Sequence, residues 1–110
     1  MDKLYVVVRG DLGPGLRAAQ ACHALRQFVA EHPEIDKAWF ETSNTIVLLE
    51  VPDLEALSDL TFELDRRDIT YSQFIEPDIG HELTAVAVAP EGRSLCSRFR
   101  LAFQGEAYAA

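Results

Sequence analysis

The stretch from Leu4 to Ala30, LYVVVRGDLGPGLRAAQACHALRQFVA, constrains this chain more than any other. Leu4 to Val8 is a run of five apolar residues, three of them valine, the pattern of a strand buried on both faces of a sheet. Arg9 ends the run. Gly10, Gly13 and Gly15 permit backbone angles closed to other residues, and Pro14 presets φ for a first helical turn. A buried strand, a tight turn and a helix that starts at once point to an α/β fold.

At 100° per residue, Ala18, Ala21, Cys22, Leu25, Phe28 and Val29 share one side of that helix, which is the expected buried stripe. Leu16, Gln20, His23 and Gln27 line up on the opposite side. Two amides and an imidazole are therefore expected on an open face beside the glycine-rich turn, where a site would form.

Beyond the helix, His32-Pro33 stops it, because proline disfavours helical angles in the preceding residue. Asp36 to Thr42 reads as a short turn or edge segment whose Trp39 and Phe40 cover the core, and Ser43-Asn44 as a turn. Thr45 to Val51 is a second strand, joined to the first by a right-handed crossover. Leu54, Leu57, Leu60 and Leu64 give a helical period over Asp53 to Arg67, with Asp53 as cap and Phe62 turned away toward a partner. Thr70 to Ile75 and Thr84 to Ala89 read as an antiparallel pair around a turn at Glu76 to Gly80. Arg93 to Phe103 carries a last helical stripe, and residues 104–110 read as a loose tail. The expected architecture is one α/β domain over residues 1–110, with a mixed four-stranded sheet flanked by helices on both faces. Ligands of such sheets gather at the carboxyl ends of parallel strands, which puts Arg9 to Gly15 at the rim.

At 110 residues and 48% apolar content the chain suits a single domain with its own core. Its two cysteines read as free thiols in a reducing compartment, and no run approaches the roughly 20 apolar residues that span a bilayer. Met1-Asp2-Lys3 lacks the opening of a signal peptide, so a cytoplasmic location without membrane attachment is expected. A net charge of −8 argues against DNA and against any wide phosphate-binding surface, which leaves only a local contact for RNA. Gly13-Pro14-Gly15 carries neither the dinucleotide fingerprint nor the phosphate-loop lysine. The histidines and cysteines have no metal-ligand spacing, so neither a metal nor a cofactor is expected.

RGDL followed by AAQACHA resembles the second class of peptidyl-tRNA hydrolases, whose first motif couples Arg-x-Asp-Leu to Gly-Lys-x-Ala-Ala-Gln-x-x-His-Ala. Arg9, Asp11, Leu12, Gly15, Ala18, Ala19, Gln20, His23 and Ala24 match, in a loop two residues shorter, and Leu16 stands where the family has its catalytic lysine. Asp78-Ile79-Gly80 resembles the family's Asp-Ala-Gly, with Glu82 at the position of a following threonine. Thr84 to Pro90 resembles its closing Thr-Val-Leu-x-x-Gly-Pro strand. The resemblance runs from Lys3 to Pro90. It implies the family fold, hydrolysis of the ester between a peptidyl or N-blocked aminoacyl group and tRNA, and a homodimer to which Phe62 or Phe99 to Phe103 would lend an apolar patch. Carried over position by position, it implies catalytic roles for Asp78 and His23 and substrate contacts for Arg9, Asp11, Gly15, Gln20 and Thr84.

The residues themselves leave alternatives open. His23 suits a base or substrate contact, or a helical histidine bonded to nearby backbone. Asp78 suits orientation of a water or capping of its own turn, and Asp11 suits a hold on Arg9 or a ligand, or on the glycine amides of its loop. Arg17 lies about 100° round the helix from Leu16 and replaces the lysine only if the shortened turn rewinds the helix start. His81 and Glu82 form a replacement acid/base pair or are solvated turn residues. Two functions follow: ester hydrolysis on a modified site, or a binding module that has lost its chemistry.

Overall fold

The computed structural model describes residues 2–105. The chain runs β1 (Lys3–Arg9), α1 (Pro14–Glu31), α2 (Pro33–Thr42), β2 (Thr45–Val51), α3 (Leu54–Arg66), β3 (Tyr71–Glu76), β4 (Glu82–Val88), α4 (Arg93–Cys96) and β5 (Arg100–Leu101), with single 3-10 turns at Pro77–Ile79 and Pro90–Gly92. The strands form one sheet in the order β3-β4-β1-β2-β5. β1 pairs parallel with β2, from Lys3 opposite Thr45 to Arg9 opposite Val51, and antiparallel with β4.

β1 is apolar from Leu4 to Val8 because it is central and covered on both sides. Leu4, Val6 and Val8 cluster with Ala21, Ala24 and Phe28 of α1 and Trp39 of α2. Tyr5 and Val7 cluster with Leu57, Leu60 and Leu64 of α3 and with Leu95. On β4 and just beyond it the α1 side is Ala85, Ala87 and Ala89, whose short side chains let the helix lie close, while Val86 and Val88 fill the other layer. Among the described residues no helix is long and apolar enough to cross a membrane.

Four expectations are corrected. Residues 36–42 belong to a helix, α2, with Pro33 in its first turn and Glu34 and Asp36 against its positive end. Trp39 does reach the core, and its Nε1 donates to Thr45 O at 2.9 Å. The final helix stops at Cys96, because Leu95 and Cys96 fill the core within one turn. The chain then swings out to lay β5 on Leu49 and Glu50, which makes the sheet five-stranded. The buried face of α1 is also turned from the apolar stripe: Arg17, Gln20, Ala21, Ala24 and Phe28 point inward. Ala18 and Cys22 are exposed, and Cys22 joins Val6, Ala21, Leu25, Ile46 and Leu48 in lining a shallow groove between α1 and β2. The tail expected after residue 104 lies outside the described residues from 106 onward.

α3 is the most locally determined helix. Asp53, in extended conformation, accepts a hydrogen bond from Ala56 N at 3.0 Å, and the leucine stripe Leu57, Leu60 and Leu64 is buried. Asp53→Ala should therefore lower stability by about 1 kcal/mol, the usual cost of a lost N-cap, measured as a shift in urea midpoint at unchanged slope.

Candidate functional site

Three polar networks gather where β1 and β2 end and β4 begins. Arg9, the last residue of β1, is 7% exposed and makes four hydrogen bonds. Its Nε and Nη2 donate to the two oxygens of Asp11 at 3.0 and 2.9 Å, and its Nη1 donates to Glu82 Oε1 at 2.6 Å and to Leu83 O at 3.1 Å. A guanidinium fork is suited to this, since it meets one carboxylate side-on and keeps donors for a second. The hydrogen bond from Arg9, aided by its charge, holds the Asp11 carboxyl below its usual range, and Arg9 in turn is held more firmly protonated.

The second network joins α1 to the β3–β4 hairpin. Gln20, 1% exposed, accepts from Thr84 Oγ1 at 2.5 Å and donates through Nε2 to Glu76 Oε1 at 3.0 Å. A β-bulge makes this possible. Ala85 opposes Phe74 and Leu83 opposes Ile75, so Thr84 is an extra residue, and it turns toward α1 beside Ala85. Thr84 is fully buried and its hydroxyl is committed to Gln20, so it supports the site from behind.

In the third network Arg17 reaches inward. Its Nε and Nη2 donate to Leu12 O at 3.2 and 2.9 Å, its Nη1 lies 3.6 Å from Glu50 Oε1, and its guanidinium covers the Phe103 ring at 4.8 Å. The shortened turn does not rewind α1, so Arg17 clamps the loop and leaves the lysine position to Leu16, which is 38% exposed. Gly10 belongs to the same packing. It keeps an ordinary negative φ, so its glycine is not explained by backbone angle; a Cβ there would fall 2.5 Å from Glu50 Oε2.

The remaining candidates lie on the surface. Asp78 is exposed on the 3-10 turn that follows β3, and the chain enters β4 through Gly80 and His81, both in the left-handed region. His23 is exposed and stacks on Phe74 with ring centroids 4.4 Å apart. Gly15 is exposed in the first turn of α1. The structure thus brings together Arg9 with Asp11 and Gln20 with Thr84, and sets His23 one helical turn beyond Gln20. It removes Gln20 from the open face expected for it. Of the pair His81 and Glu82, Glu82 is bound to Arg9 and His81 is exposed just before the hairpin's second strand.

Two acids were missed. Glu76 and Glu50 each engage an α1 side chain, and Glu50 also accepts from Phe103 N at 2.9 Å. The signal available for Glu50 was its position as the one charged residue in TIVLLEV. Among the described residues no group of three or more His, Cys, Asp or Glu is placed to hold a metal ion.

An α/β fold with polar networks gathered at the carboxyl ends of its parallel strands belongs to the class of open-sheet proteins whose ligands bind at that rim. Within it, the chain belongs to the family described as peptidyl-tRNA hydrolase PTH2, whose model matches residues 2–103. Among solved structures it is similar to a protein of unknown function from Agrobacterium tumefaciens strain C58, at 20% identity and a TM-score of 0.66, over 90% of this chain and 96% of that one. That likeness concerns the fold. No curated protein matches the chain.

The Arg9 network has a pH signature. Asp11 is depressed in the folded state from an ordinary value of 3.8, so its contribution to stability is present above that pH and is lost as pH falls through the folded value. The difference in melting temperature between wild type and Asp11→Asn should accordingly be full at pH 6 and shrink below pH 4. A gap that widened on acidification would contradict this sign.

Proposed function

We propose that this domain hydrolyses the ester between a peptidyl or N-blocked aminoacyl group and tRNA, with Asp78 as the group that activates water. The observation that carries the reading is the meeting of the family's two motifs: Arg9 of the first, which also holds Asp11, joins Glu82 of the second, and Gln20 of the first joins Thr84 of the second. These contacts between the two motifs support a site built on the family's scaffold, and Asp78 is exposed on the turn between β3 and β4. Ester hydrolysis needs a base for water and a donor for the oxyanion. A carboxylate held on a short turn supplies the first, and His23, Gly15 and the loop of Arg9 to Leu12 frame the approach of substrate. A cytoplasmic place in translation and a homodimer accompany this reading; Phe62, 67% exposed on α3, supports a contact surface.

A second reading, a binding module without turnover, is favoured by one specific feature. The lysine position is leucine, and the two guanidiniums nearest it in sequence, Arg9 and Arg17, are both turned inward onto protein carboxylates. Release of tRNA from N-acetyl-aminoacyl-tRNA by the purified protein decides between them. Turnover above background supports the hydrolase; a folded protein that binds substrate and releases nothing supports the module.

A further inference from the structure

The surface of α1 that looks toward β3 carries a feature that the hydrolytic chemistry leaves unused. The His23 imidazole and the Phe74 ring, contributed by a helix and by an edge strand, lie nearly parallel, with an interplanar angle of 10° at 4.4 Å. His23 is exposed and Phe74 half-buried, so the pair forms a flat plate whose outer leaf is the imidazole. Among the described residues the ring nitrogens of His23 have no hydrogen-bond partner. A general base is ordinarily held and tuned by a third group bonded to its far nitrogen, and His23 is held by stacking alone.

Its position is informative. His23 follows Leu16 by seven residues on the same side of α1, about 10 Å along the helix axis. One turn before it, Gln20 is fixed to Glu76. The plate therefore lies beside the Gln20–Glu76–Thr84 network, at a distance from the α1 N-terminus suited to the base of a nucleoside whose sugar ester sits at the rim. The acidic surroundings of Glu76 and Asp78 and a net charge of −8 disfavour a grip on phosphates. They place no charge penalty on a neutral base, and every base offers a π-face to an aromatic plate.

We propose that His23 and Phe74 form the stacking platform for the terminal base of the tRNA acceptor end, the nucleoside that carries the ester, so that His23 is a substrate-binding residue and transfers no proton. The proposal rests on the hydrolase reading above. The test uses the full chain and an acceptor-stem minihelix with 2-aminopurine as its 3′-terminal base and a dye at its 5′ end. Wild type should quench the 2-aminopurine, because stacking does so, and His23→Ala should lose the quench and weaken binding about tenfold, the scale of one base–aromatic stack. His23→Phe should restore both. On ester substrate, His23→Ala should raise KM with kcat little changed, and His23→Phe should show the wild-type pH profile. Minihelix binding reported by the 5′ dye without quench, or a kcat lost equally in His23→Ala and His23→Phe, would overturn the platform while leaving the hydrolase reading standing. Neither binding nor hydrolysis of any tRNA-derived substrate would overturn both.

Discussion

Asp78→Asn should lower the turnover of N-blocked aminoacyl-tRNA about a hundredfold or more, the scale of a lost general base, with the fold intact. The substitution keeps size and hydrogen-bonding shape, so any capping that the side chain gives its own turn survives. The 3-10 turn is fixed independently, by Pro77 and by the left-handed pair Gly80 and His81. Asp78 is exposed, so no buried contact is lost with its charge. What changes is the ability to take a proton from water. Single-turnover rates with unchanged thermal melts would be the expected pair of results, whereas wild-type rates in the variant would remove Asp78 from the mechanism and direct attention to Asp11 and Glu76.

Leu16→Lys should raise hydrolysis by roughly tenfold to a thousandfold, the range that a single charged catalytic group supplies. Leu16 is partly exposed in the first turn of α1, one turn before Gln20, and Gln20 reaches Glu76. A lysine there would bring an ammonium group to a rim whose own guanidiniums are spent: Arg9 on Asp11 and Glu82, Arg17 on Leu12 and Glu50. It would stabilise the developing oxyanion and draw in the polyanionic substrate. A cation near a helix N-terminus costs about 0.3 to 1 kcal/mol, too little to unfold the domain. If wild type already turns over briskly and the lysine variant gains nothing, the site is not limited by its missing cation. If both are inert and folded, the binding reading prevails.

The residues of this chain divide by how far away their partners are. β1, β2, α3 and the entry to α1 were legible because their signals are local: an unbroken apolar run, a branched strand matching Thr45–Val51, a leucine period with an aspartate cap, and a proline in the first helical turn. The family motifs were legible for the same reason, as short strings of residue types. The rotation of α1 was not, because period alone assigns the buried side to apolar residues. Arg17 and Gln20 go inward only because a loop carbonyl, Glu50, Thr84 and Glu76 are there to satisfy them, the last two 64 and 56 residues further on. β5 was hidden because two residues carry no periodicity; it exists through the open edge of β2. The role of Glu82 was hidden most completely. Along the chain it is a substitution in a hairpin, and in the fold it is a carboxylate 2.6 Å from the Arg9 guanidinium 73 residues away. Local propensity and pattern determine which elements form, whereas the pairing of buried charges and amides, which must be satisfied wherever the fold brings them, is decided by tertiary structure alone.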